Sequence, residues 1–178
     1  AKRAPNKLAM LHLDKHKTER RFSFADIKRA SAQCANYFKS LGIRRGDRVM
    51  LVLKRHYQFW FAILGLHKLG AVAIPATNLL QEHDFTYRFN AAEVSAILCT
   101  ADGDVAHQVE LAEKDSPTLK TKILVGAARE GWHNFDEEFP LFSGKFERQE
   151  DSPCGDDTML MFFTSGTTGY PKIAAHSY

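Results

Sequence analysis

The chain has 178 residues, and its 24 Lys and Arg against 21 Asp and Glu give a formal net charge of +3. This small excess argues against a dedicated nucleic-acid surface, which requires clustered Lys and Arg. Hydrophobic residues make up 44% of the chain and charged residues 25%, a composition typical of globular domains that excludes global disorder.

The cysteines and the apolar runs bear on the cellular setting. Cys34, Cys99 and Cys154 are odd in number and far apart. This favours free thiols in a reducing compartment, interpreted as the cytoplasm, over a disulfide framework or a cysteine zinc site. No apolar run approaches the roughly 20 residues that a membrane helix needs, so no membrane span is predicted.

The first part of the chain predicts a β-hairpin followed by a helix. Residues 8–13 are mostly apolar and favour a strand, and residues 22–24 favour a short returning strand after a charged turn. Ser23 and Asp26 form a capping box at the start of the helix. Apolar residues then recur at helical spacing until Gly42 ends it.

Helices and short apolar strands alternate after this point. We predict strands at 48–53, 71–74, 94–99 and 121–125, with helices at 57–69, 81–92 and 105–114. This alternation is typical of βαβ units, so the predicted fold class is α/β, with helices flanking a mostly parallel sheet. Residues 126–156 predict a long irregular connection with a short helix near 134–138. A strand resumes at 157–163.

That last strand leads into a segment rich in Gly, Ser and Thr, which reads T-S-G-T-T-G-Y-P-K: Thr164, Ser165, Gly166, Thr167, Thr168, Gly169, Tyr170, Pro171 and Lys172. Glycines permit close backbone approach to a ligand, and backbone N–H groups and hydroxyls can converge on an anion. The lysine adds a positive charge. The segment therefore predicts a phosphate-binding loop that is accessible to solvent and more mobile than the strand before it. By composition alone, a hydroxyl-rich surface turn is the alternative.

Spacing excludes two familiar nucleotide motifs, and the predicted secondary structure argues against one metal site. The Walker motif G-x-x-x-x-G-K-[ST] fails because Pro171 stands at the sixth position from Gly166, and G-x-G-x-x-G is absent. His12 and His16 have the spacing of a helical metal pair. They fall in a predicted strand and turn, so no metal ligands are predicted.

The segment 164–172 resembles the phosphate-loop signature T-S-G-[ST]-[ST]-G-x-P-K of the adenylate-forming (AMP-binding) superfamily. Three further stretches resemble structural motifs of that superfamily: F-S-F-A-D-I at 22–27, G-I-R-R-G-D-R-V at 42–49 and L-G-A-V-A-I-P at 69–75. The string at 162–178 is most similar to the medium-chain acyl-CoA synthetase branch.

The resemblance implies that residues 1–178 are the N-terminal portion of a large AMP-binding domain, ending just after the phosphate loop, with the C-terminal domain outside this chain. It implies an ATP-dependent carboxylate–CoA ligase that forms an acyl-adenylate and then a thioester, acting on a fatty or other small carboxylic acid. Implied ligands are ATP, Mg²⁺ and CoA. The loop 164–172 would bind ATP phosphates, and His176 would approach the substrate pocket. No catalytic residue is expected in this segment, which we expect to be inactive alone. The oligomeric state is left open.

Two alternatives fit the same residues. The chain could belong to an amino-acid-activating adenylation domain, or be a truncated, non-catalytic nucleotide-binding or structural module. The reading frame beyond Tyr178 would separate them, because a further nucleotide-binding motif and a late lysine are expected only of the enzyme.

Overall fold

The computed structural model describes residues 1–148, 150, 152–165 and 169–178. Its first element is an antiparallel hairpin of β1 (Leu8–Leu13) and β2 (Glu19–Ser23). The predicted hairpin is confirmed, but its second strand begins earlier than the sequence indicated. The Asp14 carboxylate accepts hydrogen bonds from the backbone N–H groups of His16 and Thr18. This closes the turn early and leaves the charged residues 19–21 in an exposed strand.

Two helices pack closely on one face of the sheet. The first, α1 (Phe24–Ser40), begins at the predicted capping box: the Asp26 N–H donates to the Ser23 hydroxyl at 3.2 Å, and the Ser23 N–H donates to the Asp26 carboxylate at 3.0 Å. The second, α2 (Gln58–Leu69), contacts α1 at Gly65, where a Cβ would lie 2.7 Å from the Cys34 Cβ. Glycine is needed here because the two backbones approach so closely.

In the described part of the chain, the main sheet has seven strands: β3 (Arg48–Val52), β4 (Val72–Pro75), β5 (Val94–Thr100), β6 (Thr121–Val125), β7 (His133–Asn134), β8 (Thr158–Thr164) and β9 (Lys172–Ser177). Their order is β7-β6-β5-β3-β4-β8-β9. Every neighbouring pair is parallel except β8 and β9. The prediction of a mostly parallel sheet flanked by helices is confirmed.

The central strands are buried on both faces. Val49 and Leu51 of β3 belong to the hydrophobic cluster that also contains α1 and α2 residues. Met50 and Val52 belong to the cluster on the other face, which is covered by α3 (Glu82–Ala91) and α4 (Val105–Glu113). This alternation explains why the sequence of β3 is nearly all apolar, as expected for a strand between two helical layers.

Part of the predicted irregular connection is folded against α1. It contains the short helix α5 (Phe135–Glu138), at the predicted place, followed by a 3₁₀ turn at Phe139–Leu141. The Phe135 side chain is fully buried and its ring stacks on that of Phe38, with centroids 6.3 Å apart. This region therefore adds to the core.

Candidate phosphate-binding loop

Residues 165–171 lie in the sequence between β8 and β9, which pair as antiparallel strands. Thr164 faces Lys172 in the backbone register, and the Thr164 hydroxyl donates to the Lys172 carbonyl oxygen at 3.4 Å. The first and last residues of the predicted phosphate segment therefore lie opposite each other at the base of one loop. The strand β9 was not predicted from the sequence, which identified the segment but not the hairpin that contains it.

Most described residues of this segment are accessible to solvent. Thr164, Ser165, Gly169, Tyr170 and Lys172 are exposed, and Pro171 is half-buried. The predicted accessibility is confirmed for these residues, and the predicted mobility stays a prediction. The other predicted site residues, Gly166, Thr167 and Thr168, lie outside the described residues.

Gly169 supplies a backbone conformation that the loop requires. Its φ is +104°, and a Cβ added there would meet no atom of the described residues within 4 Å. Side-chain-bearing residues seldom adopt this φ. Glycine is therefore required by the backbone conformation and not by lack of space.

Lys172 and His176 share one face of β9. Side chains alternate along a strand, so residues 172, 174 and 176 point the same way, and Lys172 is about 13 Å along the strand from His176. His176 faces Leu160 in the register, and its ring centroid lies 6.0 Å from that of Phe162. The structure thus places His176 on the exposed strand, away from the loop. Its predicted role near a substrate pocket remains a prediction.

Helix α3 contacts the hairpin, a feature that the sequence did not reveal. The Tyr87 hydroxyl donates to the Pro171 carbonyl oxygen at 2.8 Å. The Arg88 guanidinium lies over the Phe163 ring, 5.3 Å from its centroid. No motif marks Tyr87 or Arg88, and only the tertiary fold brings them to the loop.

A second polar region lies where β3 and β5 end. The connections from β3 and β4 lead to strands on opposite sides of β3, and open α/β sheets bind ligands at such switch points. The Nε2 atom of His56 lies 3.3 Å from the Thr100 hydroxyl and 3.8 Å from an Asp102 carboxylate oxygen. The Nδ1 atoms of His12 and His56 and the Oε1 atom of Gln58 are buried without a hydrogen-bond partner among the described residues.

The histidine at this switch point favours its neutral form. Burial lowers the pKa of the His56 imidazole below its ordinary value, although the nearby Asp102 carboxylate acts in the opposite direction. A neutral imidazole can donate through one nitrogen and accept through the other. The region can therefore offer both kinds of hydrogen bond to a polar ligand. Sequence reasoning missed it because its residues come from separate parts of the chain.

The described residues contain no group of three or more His, Cys, Asp or Glu side chains that could hold a metal ion. His12 lies in β1, where its Nε2 donates to the Arg55 carbonyl oxygen at 2.7 Å. His16 lies in the hairpin turn. At the phosphate loop, Thr164 and Ser165 offer hydroxyl oxygens, a ligand type that suits Mg²⁺ held mainly by substrate phosphates and water.

The whole chain, residues 1–178, matches the model of the AMP-binding enzyme family. The chain therefore belongs to this family, as the resemblance of its phosphate-loop segment predicted.

Curated relatives are acyl-coenzyme A synthetases. The chain is 35% identical over 179 residues to the human protein named acyl-coenzyme A synthetase ACSM1, mitochondrial, covering 99% of this chain and 30% of the relative. It is 36% identical over 162 residues to the rat (Rattus norvegicus) protein ACSM5, also named mitochondrial, covering 90% of this chain and 27% of the relative. The chain thus spans less than a third of the length of these relatives.

Solved structures share the fold. The anthranilate CoA ligase AuaEII in complex with anthranoyl-AMP matches with a TM-score of 0.87 and 23% identity over 98% of this chain and 32% of its own. The Brucella canis acyl-CoA synthetase matches with a TM-score of 0.83 and 23% identity over 97% of this chain and 31% of its own. Among the described residues of the present chain, no helix is long and apolar enough to cross a membrane.

Proposed function

We propose that this chain is the N-terminal portion of the large domain of an ATP-dependent carboxylate–CoA ligase, and that its loop 164–172 binds the β- and γ-phosphates of ATP. The single observation that carries the proposal is the position of this segment. Its described residues Thr164, Ser165, Gly169, Tyr170 and Lys172 are exposed, and Thr164 faces Lys172 where β8 ends and β9 begins. The acyl-CoA synthetase names of the relatives support the same reaction class.

The first step of the proposed reaction is adenylation. A carboxylate oxygen of the acid attacks the α-phosphorus of ATP, the bond from that phosphorus to the bridging oxygen of the β-phosphate breaks, and pyrophosphate leaves. Negative charge grows on the departing oxygen. The ammonium group of Lys172 and the hydroxyls of Thr164 and Ser165 would hold the departing phosphates in place and stabilise that charge.

Mg²⁺ would reach this site bound to the ATP phosphates, where it neutralises part of their charge. The contribution of the chain is oxygen and nitrogen groups around the phosphates. The hydroxyls of Thr164 and Ser165 are exposed, so a solvated, metal-bound phosphate could approach them without displacing core residues.

In the second step, the CoA thiol attacks the carbonyl carbon of the acyl-adenylate. The bond from this carbon to the AMP oxygen breaks, and AMP, the thioester and the thiol proton are released. No residue of this chain is assigned to that step. The proposed acyl substrate is a fatty or other small carboxylic acid, as the similarity of residues 162–178 to the medium-chain acyl-CoA synthetase branch implies.

ATP–pyrophosphate exchange tests the proposal, using the full-length protein that carries this segment. We expect exchange with short- and medium-chain fatty acids, and CoA-dependent release of AMP with the same acids. Exchange with amino acids but without CoA consumption would support an amino-acid-activating domain instead. Absence of exchange with every acid, together with nucleotide binding, would support a non-catalytic module.

The cellular location is a separate question. The sequence predicted the cytoplasm from its free cysteines, but the human and rat relatives are both named mitochondrial. The cytoplasmic location is therefore not confirmed. Fractionation of cells that express the full-length protein would decide between the two compartments.

A further inference from the structure

Tyr87 of α3 makes two contacts with the exit of the loop. Its ring stacks on that of Tyr170, with centroids 4.8 Å apart and an interplanar angle of 27°. Its hydroxyl donates to the Pro171 carbonyl oxygen at 2.8 Å. Tyr170 is 70% exposed, so its ring is not held by burial in the core. The two contacts therefore act as specific restraints on residues 170 and 171.

Tyr87 also contacts the strand that enters the loop. The edge of its ring approaches Phe163 of β8, with centroids 6.2 Å apart and an interplanar angle of 66°. The next residue, Arg88, lies over the same Phe163 ring. Tyr87 thus contacts both arms of the hairpin, one residue before Thr164 and one residue before Lys172.

Helix α3 is a firm support for these contacts. Phe85 and Phe89 are fully buried in the core, on either side of Tyr87 in the sequence. The Arg88 side chain is 12% exposed and forms an ion pair with Asp84 at 3.0 Å. Asp84 also accepts a hydrogen bond from the Gln81 N–H at the start of the helix. A side chain projecting from such a helix is held in place by its surroundings.

We propose that Tyr87 is a positioning residue for the phosphate loop, an inference that rests on the proposed function. By fixing Tyr170 and Pro171, it sets the position at which β9 starts and therefore the position of Lys172. A loop ordered before the ligand arrives loses less conformational entropy when it binds. Loss of Tyr87 should then weaken the use of ATP without touching the later chemistry.

Two substitutions in the full-length protein separate the two contacts. Tyr87→Phe removes the hydrogen bond and keeps the ring, so kcat/KM for ATP in pyrophosphate exchange should fall about two- to twelvefold, with the larger part in KM. Tyr87→Leu removes the stacking as well and should cost about a further two- to twelvefold. Thioester formation from supplied acyl-adenylate and CoA should stay unchanged in both.

Thr86→Val is the matched control on the same helix. The Thr86 hydroxyl donates to the Glu82 carbonyl oxygen within α3, so this variant loses a hydroxyl that does not reach the loop and should keep normal exchange. Tyr170→Leu should reproduce the stacking loss. The double variant Tyr87→Leu with Tyr170→Leu should lose less than the sum of the two single changes, because the partners form one contact.

Lys172→Ala distinguishes failure of this inference from failure of the proposed function. If Lys172→Ala slows exchange while both Tyr87 variants leave it normal, Tyr87 does not position the loop and the phosphate-binding role stands. If Lys172→Ala leaves exchange normal, the phosphate-binding role fails and the Tyr87 inference fails with it. Equal losses in adenylation and thioester formation for the Tyr87 variants would mean a general structural role, which would also overturn the inference.

Discussion

The centre of the sheet and the β8–β9 hairpin differ in how deeply their side chains are buried. In the centre, residues such as Met50 and Ile97 have no exposed surface, and parallel strands lie between two helical layers. In the hairpin, Phe162 is 39% and Ile173 is 38% exposed. Among the described residues, β8 pairs with β4 only through Ala73 and Leu160.

Buried apolar side chains at the centre stabilise the fold, whereas the hairpin exposes polar groups that can bind a ligand. The central strands contribute little beyond apolar burial, which is the main favourable term in folding. The hairpin carries hydroxyls, a glycine with positive φ and an exposed lysine at its tip. We therefore expect substitutions in the centre to change stability and substitutions in the hairpin to change the use of ATP.

The largest expected effect on stability comes from the core. Phe38→Ala removes a fully buried ring and should lower the free energy of unfolding by about 3–5 kcal/mol. Phe162→Ala deletes the same group from the hairpin and should cost clearly less, since that ring is partly hydrated already. Urea unfolding of the full-length protein measures both. Equal losses would contradict the contrast between the regions.

A smaller effect is expected from backbone strain in the loop. Gly169→Ala places a side chain at φ +104°, which costs about 1–3 kcal/mol if the conformation is kept. We expect the backbone to shift so as to relieve this strain, and pyrophosphate exchange to fall about tenfold or more.

Gly131→Ala is the control for that variant. Gly131 has φ +76° and equally open surroundings, but it precedes β7, at the opposite edge of the sheet from β9. Its substitution should leave exchange normal. Similar losses of exchange in both variants would show that strain acts through overall stability and not through the loop.

The smallest effect compares one chemical change in both regions. Ile97→Val removes a buried methylene from β5 and should destabilise the protein by about 0.5–1.5 kcal/mol. Ile173→Val in β9 should stay within about 0.5 kcal/mol of the parent. Thermal unfolding of the two variants side by side would measure the difference, and a larger loss at Ile173 would reverse the comparison.

The central strands and helices could be predicted from the sequence because their apolar spacing is local. The capping box at Ser23 and Asp26 indicated the start of α1, and the strand 121–125 was predicted with the bounds that the structure has. The loop segment was found by its residue types. Strand β9 was missed because its residues Lys172–Ser177 are mostly exposed and lack a long apolar alternation.

The contacts of the site could not be read from the sequence. Tyr87 is 84 residues from Pro171, and no local pattern links the two. His56 and Thr100 are likewise brought together by the order of the strands. Such contacts depend on the topology of the sheet, which fixes pairs of residues that are far apart in the chain.

Lys172→Ala tests the central claim most directly. In the proposed role of Lys172, the change removes one charge-assisted contact to an ATP phosphate, worth roughly 1.5–3 kcal/mol, so adenylation should slow by about one to two orders of magnitude. Lys120→Ala is the control, because Lys120 is also exposed and precedes β6 at the amino edge of the sheet. The measurement compares ATP–pyrophosphate exchange with CoA-dependent consumption of supplied acyl-adenylate in the full-length protein. We predict a loss in exchange alone for Lys172→Ala and in neither assay for Lys120→Ala, whereas equal losses in both half-reactions for Lys172→Ala would contradict its phosphate-binding role.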